Sequence, residues 1–463
     1  GEAGRTLIQE IQNSRYLDQK VCCVIDDNSR KVGRFIKGIR VVGDRYAIRR
    51  NVEEYGIEQI IIAIPSAGSK KLRPILDICK ETGCELKILP GMYQLVNGEV
   101  NVSKLRPVNI DDLLGREEIS VNMDEILNYV SGKTVLVTGG GGSIGSELCR
   151  QIATHAPGKL IIFDIYENNA YDIQQELRMK YPELNLVVLI GSVRDYNRIE
   201  KIFAEHRPDI IYHAAAHKHV PLMESSPNEA IKNNVLGTYN LVLAADRWKV
   251  KKFVQISTDK AVNPTNIMGA SKRICEMIIQ SFNRHSQTDY VAVRFGNVLG
   301  SNGSVIPLFK KQIAAGGPVT VTDPEIIRYF MTISEAVSLV LQAGAYAKGG
   351  EIFVLDMGEP VKILDLATNM IRLSGYKPGK DIEIKFTGLR PGEKLYEELL
   401  MDEEGMTDTP NKLIHIGHPI DVDENKLYYA LRVMEEAAAN ETDDMRLIME
   451  SIVPTYKVKT EDM

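Results

Sequence analysis

A glycine-rich turn directly after an apolar run constrains the fold of this chain more than any other feature. Residues 133–146 read K-T-V-L-V-T-G-G-G-G-S-I-G-S, and the part before the glycines has the composition of a buried strand. Glycines at this spacing let the backbone approach a pyrophosphate, and the helix that follows offers N–H groups and its positive dipole end. The context of strand, turn and helix predicts a dinucleotide-binding βαβ unit. The predicted cofactor contacts in this turn are Thr138, Gly139, Gly142, Ser143, Ile144 and Gly145.

The next apolar run ends in an acidic residue that bears on the choice of cofactor. Residues 159–163 are followed by Asp164, which lies 19 residues after Gly145. A carboxylate at this place hydrogen-bonds the adenosine ribose hydroxyls and disfavours a 2′-phosphate. No basic residue immediately follows Asp164. NAD is therefore favoured, and NADP stays open.

Strand-like and helix-like segments alternate through the rest of this region. Further strands are predicted at 186–190, 209–212 and 252–256. Such alternation is typical of a doubly wound α/β domain with a parallel sheet, which binds ligands outside the carboxyl ends of its strands. Further cofactor contacts are accordingly predicted at Ser192, Val193, Ala214, Ala215, Ala216, Lys218 and Asn234. Lys218 could lie near the ribose or near a substrate diphosphate.

The beginning of the chain has the same alternation on a smaller scale. Strands are predicted at 21–25, 59–65 and 84–90, and a helix at 72–82. The opening G-E-A-G-R-T-L is similar to the second half of a G-x-G-x-x-G turn whose strand and first glycine are absent, so we expect a fragment of a longer protein. This module is predicted either to bind a nucleotide or to serve in docking or regulation. The incomplete motif favours docking or regulation.

Length and composition bound the class of protein. With 463 residues, two domains are expected, at 1–95 and 131–463, joined by a polar linker at 96–130. A net charge of −6 argues against a nucleic-acid partner. No run reaches the ~20 apolar residues of a transmembrane helix and no signal peptide is present, so the fragment is expected to be soluble. The six cysteines are sparse, which favours reduced thiols.

Two groups of residues have some likeness to a metal site. Cys79 and Cys84 have no second pair to complete a ligand set. His213, His217 and His219 have H-x-x-x-H-x-H spacing at a strand-to-loop bend, without a nearby cysteine or carboxylate. No metal is therefore expected.

The run S-T-D-K-A-V-N-P-T-N-I-M-G-A-S-K, residues 257–272, lies between the predicted strand 252–256 and a predicted helix. Thr258, Asp259 and Lys260 place a hydroxyl, a carboxylate and an amine side by side at a strand end. Groups that donate, accept or carry protons at the ligand-binding edge indicate acid–base catalysis. The alternative is a helix N-cap with a solvated ion pair, which the position in a nucleotide-binding domain disfavours.

These motifs together resemble a known superfamily. The turn T-G-G-G-G-S-I-G, H-A-A-A, N-N-V-x-G-T and the later lysine resemble the extended short-chain dehydrogenase/reductases. Residues 257–272 are similar to the nucleoside-diphosphate-sugar 4,6-dehydratases, above all to the membrane-anchored, long-form UDP-N-acetylglucosamine 4,6-dehydratases (CapD-like proteins). V-R-F-G-N-V-L-G-S at 293–301, R-Y-F-M at 328–331 and G-L-R-P-G-E-K-L at 388–395 also match. The resemblance is specific over 133–400 and looser before that.

The resemblance implies an architecture and partners. It implies an α/β protein with two Rossmann-like, doubly wound parallel-sheet domains, the first similar to CoA-binding domains. The second would be an extended short-chain dehydrogenase/reductase with a small substrate-binding part from about residue 295, followed by a surface helix pair at 424–452. A homodimer or higher oligomer is implied. A helical membrane region would precede the fragment and hold the full-length protein at the cytoplasmic face of the bacterial inner membrane.

The resemblance also implies a reaction on UDP-N-acetylglucosamine for glycan or capsule synthesis. NAD takes hydride from C4, water leaves across C5 and C6, and hydride returns to C6, so the cofactor is recycled. In this scheme Lys260 is the base at C5, with a pKa lowered by burial and by Lys272. Asp259 is the acid at the C6 hydroxyl, and Thr258 hydrogen-bonds the C4 oxygen. Lys272 holds the nicotinamide ribose.

One residue departs from the wider superfamily. The usual catalytic Tyr of Y-x-x-x-K is Met268 here, and a thioether cannot take a proton from a sugar hydroxyl. Met is itself a feature of the long-form subgroup, so a rearranged proton relay and retention at C5 are expected. Asp259, acting through Thr258 or a water, is one route for the C4 proton. A nucleotide-sugar epimerase and a non-catalytic nucleotide-sugar-binding protein are the alternatives.

Substrate contacts are implied in the C-terminal part. Arg328 and Arg390 supply cationic forks suited to a diphosphate. Arg390 could equally form a buried salt bridge with Glu393. The predicted substrate contacts are Lys218, Asn297, Val298, Ser301, Ser304, Val305, Pro307, Arg328, Arg390 and Glu393.

Overall fold

A computed structural model describes residues 1–14, 19–90, 101–109, 112, 123–398, 405–417 and 422–457. Much of the predicted linker, at 96–100, 110–111 and 113–122, lies outside the described residues. The described helices are α1 Glu2–Asn13, α2 Ile48–Tyr55, α3 Ser69–Cys79, α4 Met123–Val130, α5 Ser143–Ala153, α6 Glu167–Lys180, α7 Tyr196–His206, α8 Val220–Ser225, α9 Pro227–Ala230, α10 Gly237–Arg247, α11 Ile267–Asn283, α12 Val305–Ala314, α13 Ile333–Tyr346, α14 Ile363–Leu373, α15 Glu424–Ala439 and α16 Met445–Ile452. Shorter 3₁₀ segments cover Arg45–Ala47, Val102–Lys104 and Asp259–Ala261, and a π-helical segment covers Ile231–Leu236.

The described strands alternate with these helices. They are β1 Val24–Ile25, β2 Phe35–Ile36, β3 Ile39–Gly43, β4 Gln59–Ile62, β5 Glu85–Ile88, β6 Arg106–Pro107, β7 Thr134–Thr138, β8 Lys159–Asp164, β9 Leu186–Ile190, β10 Ile210–His213, β11 Lys252–Ile256, β12 Asp289–Arg294, β13 Asn297–Val298, β14 Val319–Val321, β15 Ile327–Arg328, β16 Phe330–Met331, β17 Ile352–Leu355, β18 Val361–Lys362, β19 Ile384–Phe386, β20 Met406–Asp408 and β21 Ile414–Gly417.

The chain divides into two compact units. The first comprises 1–118, 308–324 and 362–387, and the second comprises 119–307, 325–361 and 388–463. The boundary at 118 falls inside the predicted linker. The segments 308–324 and 362–387 belong to the first unit, whereas the sequence placed them in the domain 131–463.

The first unit contains small mixed sheets. β1 pairs in parallel with β3, which also pairs antiparallel with β2; β4 pairs in parallel with β5, which also pairs antiparallel with β6. The predicted strands at 21–25, 59–65 and 84–90 are present but shorter, and the predicted helix is α3. The α/β character is thus confirmed, with antiparallel strands added to the parallel pairs.

The second unit is built on one large sheet. Its strand order is β20-β21-β17-β12-β11-β10-β7-β8-β9. All pairs from β9 to β17 are parallel, and β21 and β20 continue the edge antiparallel. The chain leaves β7 toward β8 on one side and later enters β10 on the other. This reversal of direction is typical of a doubly wound sheet, so the predicted fold is confirmed. Open α/β sheets bind ligands at such a point.

Alternate residues of the parallel strands face two separate cores. Leu136 of β7 lies in a core with α7, α10 and α11, whereas Val135 and Val137 lie in a core with α5, α6 and α13. Because both faces are covered, the strands consist of continuous Val, Ile, Leu and Phe runs. The predicted C-terminal helix pair is present as α15 and α16, and buries Leu427, Leu431, Met434, Met445 and Met449 in the first of these cores. Within the described ranges, no helix is both long and apolar enough to span a bilayer.

Candidate active site

The turn between β7 and α5 is shaped by the lack of side chains. Gly139 has φ of +67°, and a Cβ there would lie 2.7 Å from the backbone nitrogen of Ala215. A Cβ on Gly145 would lie 2.0 Å from the carbonyl oxygen of Gly139. Gly142 is the N-cap of α5 and contributes no side-chain cap, so the first N–H groups of α5 have no side-chain acceptor at the cap. These features fit a pyrophosphate held by backbone donors.

Replacing Gly145 by Ala is expected to destabilise the ligand-free protein by about 1–3 kcal/mol, because the added methyl overlaps the carbonyl of Gly139 and forces the turn apart. Chemical denaturation without cofactor measures this. Gly142→Ala is the matched control, since its Cβ would lie 3.2 Å from the same oxygen and should cost much less. Equal losses in the two variants would contradict the close packing of helix on turn.

Asp164 at the end of β8 supports the glycine turn. Its Oδ2 accepts the Gly141 N–H at 2.8 Å and its Oδ1 accepts the Tyr166 N–H at 2.8 Å. Val193 packs against the α10 start, where a Cβ on Gly237 would lie 2.6 Å from its Cγ2. The Ser192 hydroxyl accepts the Arg194 N–H at 3.2 Å. The predicted contacts of Asp164, Ser192 and Val193 with a cofactor stay predictions.

Buried polar side chains link β7 and β10 to α10 close to the glycine turn. Thr138 Oγ1 lies 2.7 Å from Nδ1 of His213, and Thr238 Oγ1 lies 3.0 Å from Nε2 of the same ring. Burial, with a smaller effect of Lys272, lowers its pKa well below the usual value. A neutral imidazole therefore ties β7 to α10. In the part of the chain that the structure describes, no three His, Cys, Asp or Glu side chains are grouped to hold a metal.

Asn234 braces the loop after β10. Its Oδ1 accepts the His217 N–H at 2.8 Å, and its Nδ2 donates to the His217 carbonyl at 2.9 Å and to Ser271 Oγ at 3.0 Å. The amide thereby fixes the loop that follows Ala214, Ala215 and Ala216. Lys272, on α11, is buried and donates to the Ile256 carbonyl at 2.9 Å. Burial lowers its pKa.

Thr258, Asp259 and Lys260 come together at the carboxyl end of β11. The Thr258 hydroxyl donates to Asp259 Oδ1 at 2.7 Å, and Lys260 Nζ donates to the same oxygen at 3.0 Å. Lys260 Nζ also donates to Asn297 Oδ1 at 3.3 Å. The Asp259 side chain is 1% exposed. This geometry satisfies the buried carboxylate and places hydroxyl, carboxylate and amine in direct contact.

The start of α11 fixes the 3₁₀ segment that carries these residues. The Asn266 side chain caps α11 by accepting the Gly269 N–H at 2.7 Å. A Cβ on Gly269 would lie 2.2 Å from the Lys260 carbonyl oxygen, so only glycine permits this contact. Met268 is 3% exposed and belongs to the apolar core of α11. The thioether at the tyrosine position therefore packs as a hydrophobic side chain.

The predicted lowering of the Lys260 pKa is wrong. Burial lowers it, but the carboxylates of Asp259 and Glu397 outweigh burial and raise the pKa above its usual value. Glu397 Oε1 lies 3.7 Å from Lys260 Nζ. Lys272, invoked from the sequence as the neighbouring cation, is directed at the Ile256 carbonyl instead. Sequence reasoning missed Glu397, because nothing in the motif G-L-R-P-G-E-K-L-Y-E links it to residue 260.

Arg328 is not arranged as the sequence predicted. Its guanidinium donates to the carbonyls of Ile327, Leu395 and Lys394 at 2.7, 3.1 and 2.7 Å. It is 6% exposed, so it fastens the 393–397 segment to β15 and does not present a free fork to a diphosphate. Arg390 pairs with Glu393 at 3.1 Å. The arginine side chain is 56% exposed, so this pair is not the buried salt bridge that the sequence also allowed.

The loop after β13 supplies the other predicted substrate contacts. Lys218 Nζ donates to Ser301 Oγ at 3.4 Å, and burial lowers the pKa of Lys218. Ser304 Oγ is buried and has no hydrogen-bond partner among the described residues. Val298 lies in β13, and Val305 and Pro307 lie in the first turn of α12. A buried hydroxyl without a partner fits a loop that meets a polar ligand.

A charged network lies beneath the reactive residues. Glu276 of α11 accepts two bonds from Arg294 at 2.7 Å each and one from Ser257 at 2.7 Å, and pairs with Arg273 at 3.0 Å. Burial opposes ionisation of Glu276, but Arg294 and Arg273 lower its pKa from 4.5 to about 2. This network anchors β12 and the end of β11 to α11. Sequence reasoning missed it, because its members are separated along the chain and belong to no motif.

Comparison with known proteins places this site in a family. Residues 135–419 match the profile of the family described as polysaccharide biosynthesis protein, and residues 1–90 match that of a CoA-binding domain. The chain belongs to the polysaccharide biosynthesis protein family. It is 53% identical over 407 residues to the capsular polysaccharide biosynthesis protein CapD of Staphylococcus aureus, covering 87% of this chain and 68% of CapD.

A further relative and a solved structure are also similar to this chain. The chain is 38% identical over 279 residues to UDP-glucose 4-epimerase of Rickettsia canadensis (strain McKiel), covering 59% of this chain and 79% of the epimerase. The X-ray structure of Pen from Bacillus thuringiensis is 37% identical, with a TM-score of 0.58, and covers 63% of this chain and 90% of Pen. The predicted CapD-like resemblance is confirmed, and the chain is also a relative of a nucleotide-sugar 4-epimerase.

Proposed function

We propose that this protein is a 4,6-dehydratase that converts UDP-N-acetylglucosamine to UDP-2-acetamido-2,6-dideoxy-hexos-4-ulose with recycled NAD. The observation that carries the proposal is the contact of Thr258, Asp259 and Lys260 at the carboxyl end of β11. An enzyme that only epimerises C4 needs no acid at C6 and no base at C5. A buried carboxylate and amine in contact there are more than epimerisation requires.

The crevice in question is the carboxyl edge of the sheet between β7 and β10, and its residues fit a dinucleotide. The glycine turn would hold the pyrophosphate, Asp164 the adenosine ribose and Lys272 the nicotinamide ribose. A nicotinamide bound there supplies the acceptor and then the donor of hydride. Asn234 and His213 keep the floor of the crevice rigid through the bonds described above.

The chain's own residues provide a route for the protons. Thr258 accepts the proton of the C4 hydroxyl as it passes its own proton to Asp259, 2.7 Å away. Asp259, now a carboxylic acid, protonates the C6 hydroxyl, which leaves as water. Lys260, as the neutral amine, takes the C5 proton and, as the ammonium, later delivers one of its solvent-exchangeable protons to C5. This route needs no tyrosine, which accounts for the buried thioether of Met268.

The substrate diphosphate is assigned to the loop after β13. Lys218 supplies a cation, and Ser301 and the unpartnered hydroxyl of Ser304 supply donors. Asn297 contacts Lys260 and would orient it toward the sugar. Arg390 stays a predicted contact, since it is exposed and paired only with acidic Glu393 in the contacts described here. The predicted anchoring at the inner membrane and the predicted homo-oligomer stay predictions.

The second candidate is a nucleotide-sugar 4-epimerase, which the identity with a UDP-glucose 4-epimerase favours. Incubation with UDP-N-acetylglucosamine and NAD, followed by mass spectrometry and NMR, separates the two. We expect a product lighter by one water. In D₂O it should carry deuterium at C5 with the configuration of the substrate, because one amine removes a proton and delivers one on the same face. A product of unchanged mass with inverted C4 would favour the epimerase, and no product would leave a binding protein.

A further inference from the structure

Glu397 lies buried beside the proposed base, and the reaction described above gives it no part. Its side chain is 5% exposed. Oε1 lies 3.7 Å from Lys260 Nζ and 3.7 Å from Arg328 Nη2. The carbonyls of Lys394 and Leu395 bind Arg328, so the segment that carries Glu397 is held firmly against β15. The carboxylate is within ion-pair distance of Lys260, and a small approach to hydrogen-bond distance would let it exchange a proton with the amine.

We propose that Glu397 is a positioning residue that takes the ammonium proton of Lys260 and thereby leaves the amine free to act at C5. The inference rests on the proposed dehydration. Lys260 as an ammonium cannot accept a proton. Its contacts with Asp259 Oδ1 and Asn297 Oδ1 do not relieve this, since Asn297 is neutral and Asp259 is needed at C6. Among the groups described around Nζ, Glu397 is the remaining acceptor.

The protons balance in this scheme. Lys260 ammonium and Glu397 carboxylate become neutral amine and carboxylic acid. The amine removes the C5 proton as water departs from C6, and so becomes ammonium again. The ammonium then delivers one of its protons to C5, and Glu397 gives its own proton back to the amine. Nothing is consumed, and the pair ends as it began.

The charges around the pair favour a proton on Glu397 as well as on Lys260. Asp259 and Glu397 raise the pKa of Lys260 against the effect of burial. Burial, with Asp259, raises the pKa of Glu397 against the effects of Lys260, Arg328 and Lys394. Glu393 Oε1 lies 3.6 Å from the same Nη2 atom of Arg328. A buried pair that can become neutral avoids the cost of two desolvated charges.

The pH dependence of turnover tests the proposal. In the wild type, transfer within the pair changes no net charge, so the rate should vary little with pH across the neutral range. In Glu397→Gln the ammonium must lose its proton to solvent, so kcat should be strongly reduced at neutral pH and rise about tenfold per pH unit toward alkaline pH. The matched control is Glu398→Gln, whose carboxylate lies 2.8 Å from Asn263 and whose profile should match the wild type.

Substrate deuterated at C5 gives a second readout. The isotope effect on kcat should grow in Glu397→Gln, because C5 proton removal becomes slower. Glu397→Asp, which keeps a carboxylate, should retain the flat profile and covers the case in which the glutamine variant fails to fold. Two outcomes would overturn the proposal. One is a pH profile of Glu397→Gln that is uniformly lowered and flat, so that alkaline pH does not relieve the loss of kcat. The other is a sloped pH profile in Glu397→Asp. Absence of dehydration in the wild type would instead refute the proposed function.

Discussion

Replacing Asp259 by Asn is expected to lower the rate of water loss from UDP-N-acetylglucosamine by about 10²–10⁴-fold. The carboxylate is 1% exposed and accepts hydrogen bonds from Thr258 and Lys260 at the same oxygen. An amide of the same shape keeps the volume but can neither receive the C4 proton nor deliver a proton to the C6 hydroxyl. Single-turnover mass spectrometry of the sugar nucleotide measures the loss.

The control separates chemistry from folding. Asp172→Asn makes the same chemical change at an exposed position of α6 and should leave turnover unchanged. Binding of NAD to Asp259→Asn should stay close to that of the wild type, because the glycine turn does not contact this residue in the bonds described. Near-normal turnover in Asp259→Asn would remove the acid role and favour an enzyme that exchanges only C4.

Local patterns predicted the strand and the helix on either side of the glycine turn. A strand, a glycine turn and a helix are adjacent in the chain, so residues 133–164 determine their own geometry. The alternation of strands with helices predicted the parallel sheet. The sequence placed Thr258, Asp259 and Lys260 side by side at a strand end for the same reason. Their contacts with each other follow from neighbouring positions on one short 3₁₀ segment.

The electrostatics of the site could not be predicted in this way. The sign of the Lys260 pKa shift depends on Glu397, which the fold brings from another segment. Arg328 has the right chemistry for a diphosphate, but the carbonyls that occupy it lie in residues 394–395. A guanidinium fork in a sequence shows what can be bound, whereas only the packed structure shows which acceptors lie within reach.

Breaking the buried pair of Glu276 and Arg294 is expected to have the largest effect on stability. Arg294→Met should destabilise the second unit by about 3–5 kcal/mol, because it leaves Glu276 buried with fewer bonds. Both side chains are 0% exposed, and the two bonds between them are 2.7 Å long. Urea unfolding followed by tryptophan fluorescence would report the change. Glu176→Gln, which breaks the exposed contact with Arg150, should cost less than about 1 kcal/mol.

The same pair predicts a pH dependence with a definite sign. The pKa of Glu276 is lowered from 4.5 to about 2 in the folded protein, so its stabilising contribution is complete above pH 4.5 and is lost as pH falls toward 2. A shift of this size corresponds to about 3 kcal/mol. Unfolding free energies measured from neutral to acid pH should therefore fall less in Glu276→Gln than in the wild type. The variant should be the less stable of the two at neutral pH, since it removes the carboxylate that Arg294 and Arg273 contact. Parallel curves for the two proteins would mean that Glu276 is not held ionised by these arginines.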